Sequence, residues 1–200
     1  MEKNTIKRIL NETLRGQSSD LPLIDLRGKD RKERNNLVIS AMRSCIEKVP
    51  LKITHESDVD GYHQLFSLYE YSEHSKLGVI VYHIAESGFI KVSTSYGKTY
   101  FEKENEMHRM LNLLNSRCFA WHYVLCPNTG IVSIESGMPV ADSFSGQELF
   151  VLLRHLIGNA CIHFPLINEL LDSNDEPASI LERHDKNLNA FRRENPELFG

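Results

Sequence analysis

The most constraining feature of this chain is the capping box Ser145-Gly146-Gln147-Glu148, flanked by Phe144 and Leu149 placed as a hydrophobic staple. It marks the start of a helix whose apolar stripe runs through Leu149, Leu152, Leu153, Leu156, Ala160, Phe164, Ile167 and Leu171. A stripe of that length needs a broad apolar surface beneath it, and a sheet supplies one. Pro165 lacks an amide hydrogen and crowds the preceding turn, so a bend is expected near residues 160–164.

The segments before this helix read as that sheet. Residues 118–126 and 131–135 are strand-like and flank the turn sequence Pro127-Asn128-Thr129-Gly130. A four-residue loop sets Phe119, Trp121, Tyr123 and Leu125 on one face with Val132 and Ile134. Slipping by one residue would match those aromatics to Ser133 and Glu135, so that register is disfavoured. The opposite face carries Ala120, His122, Val124, Cys126 and Ile131. Upstream, residues 102–115 form a helix with Met107, Met110, Leu111 and Leu114 on one side. Glu102, Glu104 and Glu106 suit its positive N-terminal end, and Asn115 is a left-handed stop.

Residues 62–71, 77–85 and 89–96 change to a period near two and are rich in β-branched and aromatic residues. A three-residue loop, Glu86-Ser87-Gly88, would set Ile84 opposite Ile90, Tyr82 opposite Val92 and Ile80 opposite Thr94. Before them, Leu37, Val38, Ala41, Met42, Cys45 and Ile46 share a helical face that ends ahead of Pro50. Residues 3–15 carry a short helical stripe, and residues 21–26 read as an extended arm. A last helix over residues 177–194 shows a thin stripe (Ile180, Leu181, His184, Leu188, Phe191) and is expected to dock weakly or on a partner chain.

The order helix, three strands, helix, two strands, helix, with short connections between neighbouring strands, predicts an α+β fold. Its expected centre is an antiparallel five-stranded sheet covered by helices. Three segments are expected: an N-terminal helix and arm (1–29), the α+β domain (30–172), and a linker with a C-terminal helix (173–200). A formal net charge of −4 argues against non-specific nucleic-acid binding and gives no attraction to an anionic membrane. No apolar run reaches the length of a bilayer span, and residues 1–8 lack the features of a secretion signal, so a cytoplasmic location is expected. The four widely spaced cysteines then read as reduced core thiols.

No familiar catalytic or metal pattern stands out. His155 and His163 lie more than two helical turns apart (roughly 12 Å), too far to share one ion. His122 and Cys126 share a strand face but sit roughly 13 Å apart along it. The carboxylate pairs Asp58/Asp60 and Asp172/Asp175 suit turns and caps, and His184-Asp185 suits a solvated helix face. No HExxH, CxxC or HxxxH spacing appears, so no metal is expected, and the phosphate-cradling and nucleophile-elbow motifs are missing as well.

Residues 62–171 resemble the YbjN family, whose members share the fold of type III secretion chaperones. The resemblance rests on Leu111-Asn112-Leu113-Leu114-Asn115, on residues 119–125 and 131–134, and on Asn159-Ala160-Cys161-Ile162-His163-Phe164-Pro165-Leu166. It implies a bacterial, non-enzymatic protein-binding module, chaperone-like or regulatory, that needs no cofactor and forms a homodimer or holds a protein client. From the residues themselves, the partner-binding candidates are Ala120, His122, Val124 and Ile131, on the strand face that the long helix leaves uncovered. Two alternatives stand beside this reading. One is a small-ligand sensor with an apolar cavity beneath the long helix; the other is an enzyme whose site shows no motif.

Overall fold

The computed structural model describes residues 21–49, 51–72 and 75–196; the stripe at residues 3–15 lies outside them. The fold is α+β, as expected from the element order. Its strands are β1 (Leu23–Asp25), β2 (Lys52–Val59), β3 (Tyr62–Ser72), β4 (Ser75–Ile84), β5 (Phe89–Thr99), β6 (His122–Leu125), β7 (Ile131–Pro139) and β8 (Ser143–Ser145). Helices α1 (Arg31–Lys48), α2 (Glu104–Asn115), α3 (Gly146–Asp172) and α4 (Pro177–Glu194) complete the described chain, with a short 3-10 turn at Phe101–Lys103. The main sheet is antiparallel, in the order β2-β3-β4-β5-β7-β6.

The sheet has six strands, one more than expected. The extra strand, β2, carries only Ile53 and Val59 as large apolar residues, so its period is nearly silent. What marks it is the turn that follows. Asp60 and Gly61 both take positive φ (50° and 83°), the geometry of a two-residue hairpin, and Asp-Gly is a strong sequence signal for that turn. A separate two-stranded sheet straps the extended arm to the start of α3. Leu23, Ile24 and Asp25 pair with Ser145, Phe144 and Ser143, and Leu26 is fully buried beside them.

The hairpin near the tryptophan has the expected register, with Tyr123 opposite Ile134 and Leu125 opposite Val132. The strand itself is shorter than expected. It begins at His122, so residues 118–121 form a loop to which strand alternation does not apply. Phe119 is accordingly fully exposed instead of facing the core. Trp121 is half-buried against the core, 6.4 Å from the His155 ring.

The β4–β5 hairpin differs from expectation. Its loop has four residues, and the partners are Ile84 with Phe89, His83 with Ile90, Val81 with Val92 and Val79 with Thr94. Both faces of β4 carry large apolar residues, so the period alone could not choose between them. The buried row is Leu77, Val79, Val81 and His83, not Ile80, Tyr82 and Ile84.

The core lies between one sheet face and the helices. Leu65, Val79, Val81, Ile90, Val92, Val132 and Ile134 are fully buried there, each gaining about 1.5–3 kcal/mol from burial. On α3, the Ser145 hydroxyl accepts from the Glu148 amide as the capping box requires. The helix runs through Pro165 to Asp172 without interruption and rests on β5 and β7. Its best 18-residue window has a mean hydropathy of 1.5, yet 56% of that window is buried, the pattern of a core helix.

Helix α4 does not stand off from the fold. Ile180, Leu181 and Phe191 are buried against α2 and α3, and Arg117–Asp185 (2.6 Å) and Arg109–Glu176 (2.9 Å) pair across that contact. Of the thiols, Cys45 and Cys161 are buried, while Cys118 and Cys126 are only half-buried, so the core reading holds for two of the four.

Candidate functional site

All the helices that touch the sheet lie on its buried row. Arg43 of α1 pairs with Glu56, Tyr96 donates to the Ala160 carbonyl of α3 at 3.0 Å, and the Tyr123 hydroxyl meets the His163 ring. Among the described residues, the other face has no helix over it. That face is the candidate site.

It has two halves. Over β3 and β4 it presents Phe66, Leu68, Ile80, Tyr82 and Ile84, all half-buried. The Phe66 ring lies over Gly78, where an added Cβ would come within 3.4 Å of the ring. Phe89 lies closer still over Gly137, where a Cβ would sit 2.3 Å from a ring carbon. Glycine at each position lets an aromatic lie flat on the sheet. Over β5, β7 and β6 the face turns polar, with Ser93, Ser95, Ser133 and the ion pair Lys91–Glu135 at 2.7 Å. Tyr82 stands between these halves, and burial pushes its phenol pKa up.

The four residues expected to bind a partner fall on this face or its rim. Val124 and Ile131 are half-buried, whereas Ala120 and His122 are exposed. His122 lies 3.8 Å from Glu135, and the Ala120 carbonyl accepts from the Ser136 hydroxyl. Ala120 sits in the loop before β6, next to the projecting Phe119, with a cleft of about 420 Å³ between that loop, Phe89 and Lys91. Sequence reasoning missed the larger apolar half on β3 and β4, because the expected three-residue loop put Ile84, Tyr82 and Ile80 in one row with Ile90, Val92 and Thr94, which are buried.

The two ends of the sheet are closed differently. At β6, the Asn115 side chain accepts from the Tyr123 amide (2.6 Å) and donates to its carbonyl (2.9 Å), taking the place of a further strand. Asn115 is therefore an edge cap and not a left-handed stop; Asp60 alone among described non-glycine residues has positive φ. At β2, the edge is guarded by charge (Lys52, Glu56, Asp58) and an irregularity between Ile53 and His55.

Titratable groups gather in two places outside the open face. The His63 ring is bracketed by Asp58 and Glu56, each 2.9 Å from a ring nitrogen, and Arg43 holds the Glu56 carboxyl below its usual range. Beneath α4, the rings of His163 and His184 lie 5.7 Å apart, so His184 faces a neighbouring helix and not solvent. Burial and the neighbouring His184 hold the His163 pKa down at about 4. No group of three or more His, Cys, Asp or Glu side chains among the described residues is placed to hold a metal ion. The apolar groove near the long helix, about 390 Å³, lies between α3 and α4 and not between α3 and the sheet. Comparison with family models, with curated proteins and with solved structures finds no match.

Proposed function

We propose that this chain is a non-enzymatic, cytoplasmic protein-binding module of the YbjN, secretion-chaperone-like kind, holding a protein client or a second copy through the open sheet face. The observation that supports this reading is a six-stranded sheet that the described residues cover on one side only, its other side carrying Phe66, Ile80, Tyr82, Ile84, Val124 and Ile131. Apolar residues grouped on an uncovered sheet face are characteristic of interaction surfaces. The fully exposed Phe119 at its rim is the sort of aromatic that anchors an interface.

The test compares the wild type with Ile80→Lys, Val124→Lys and Phe119→Ser for capture of cross-linked partners and for sedimentation. The reading expects one or more of these variants to lose capture or self-association by about tenfold at unchanged melting temperature. Equal capture and equal mass across all four proteins would rule this face out.

A second reading, catalysis, draws on the chain Asp58–His63–Glu56, which borders a cleft of about 750 Å³. A carboxylate-held imidazole is a component of many acid–base sites. Glu56 is however already tied to Arg43, and no serine, threonine or cysteine lines that cleft, which leaves the binding reading ahead.

A further inference from the structure

A second cavity, about 420 Å³, opens where the N-terminal turn of α1 meets the β4–β5 loop. Its floor is apolar, made by the buried Leu26, Val38 and Val140. Its walls carry Lys29, Arg31 and Arg34 against the single carboxylate of Glu86. In a chain with a formal net charge of −4, that is a local reversal of sign.

Three polar side chains on this cavity have unused bonding capacity. Arg34 reaches only a neutral partner, the Ala141 carbonyl, and forms no ion pair among the described residues. Asn35 lines the same wall, with its amide unengaged by any described residue. His83 is only 4% exposed and borders the cavity from β4, yet its ring makes no hydrogen bond to any described residue. The ring nitrogens of His83 are not sealed from water, so the imidazole opens onto the cavity and a ligand there can take up its bonding. The remaining cations are lightly held. Lys29 pairs with Glu33 across one helical turn, and Arg31 lies 3.6 Å from Glu86 with both side chains largely exposed.

We propose that this cavity binds a small organic oxyanion, a carboxylate or a phosphomonoester, with Arg34 forking onto the anionic group and Asn35 and His83 bonding deeper within. The planar guanidinium of Arg34 suits either oxyanion in a two-point contact. Lys29 and Arg31 add attraction at the mouth, and the aliphatic floor takes the ligand's carbon skeleton. The site lies on the helix-covered side of the sheet and stands independently of the protein-binding reading. Burial, and the facing His63 ring on β3, hold the His83 pKa below the usual histidine value, so bound negative charge should draw a proton onto it.

The experiment is calorimetric titration of the full chain at fixed ionic strength with inorganic phosphate, and separately with succinate, using sodium chloride as the control. At least one probe is expected to bind saturably, and Arg34→Gln to weaken it by about tenfold. Lys98→Gln, a charge loss on the far part of β5, is expected to bind as the wild type does. Succinate affinity should also rise as pH falls from 8 to 6, and His83→Asn should flatten that dependence. Saturable binding of phosphate alone assigns a phosphomonoester, and of succinate alone a carboxylate. Absence of saturable heat with both probes overturns the proposal, as does an Arg34→Gln titration that matches the wild type. Equal weakening by Lys98→Gln would reduce the effect to general charge and overturn it too.

Discussion

The two faces of the sheet solve different problems with the same strands. The covered face of β4 uses Leu77, Val79 and Val81, which have no exposed area at all. One residue along, the open face of the same strand uses Gly78, Ile80 and Tyr82, none of them fully buried. On β5 the contrast sharpens, because Ile90 and Val92 face in while Lys91 and Ser95 face out. The covered side carries the free energy of folding through apolar area removed from water. The open side is relieved of that task. It keeps enough apolar surface for contact, holds it flat with glycine–aromatic stacks, and dilutes it with serines and one ion pair. Surface built this way can change without unfolding the chain, which is what a contact surface requires.

The sharpest way to break this comparison is a neighbouring pair of substitutions. Val81→Asp buries an unpaired carboxylate and is expected to cost about 4 kcal/mol or more, or to abolish folding. Ile80→Asp, adjacent but outward, should cost about 1 kcal/mol or less. Denaturant melts of the two variants decide it: similar losses would mean the open face is covered after all.

Acid should expose a weakness confined to the covered side. His163 is held neutral, at about 4, whereas an unfolded chain takes up that proton near 6.5. The unfolded state thus binds more protons between those values, and stability falls as pH drops from about 6.5 to about 4. The depressed pKa values of His184 and His83 act with the same sign. A loss of about 3 kcal/mol is expected over that window. His163→Phe should flatten the curve in urea melts run at several pH values. An unchanged slope would show that the Tyr123–His163–His184 seam is not what titrates.

The smallest effect belongs to the sheet edge, where the two faces meet. Asn115→Ala removes both bonds to the Tyr123 backbone and should cost about 1–2 kcal/mol. Amide exchange at Tyr123 should speed up well before that of Ile134. Protection as in the wild type would mean that something else closes the β6 edge.

Local chemistry made much of this molecule readable. The capping box at Ser145, the stripes of α1, α2 and α4, and the register across residues 127–130 all follow from contacts within a few residues. Turn geometry and helical period are properties of short segments, so one sequence suffices to see them. Three features needed the folded chain. The choice of face on β4 and β5 was hidden because both rows are apolar, and only packing under α1 and α3 selects one. The edge strand β2 was hidden because a solvated edge has little apolar alternation, although Asp60-Gly61 pointed to it. The cavity holding Arg34 and His83 joins side chains nearly fifty positions apart, and only the packing of α1 against the β4–β5 loop brings them to one place.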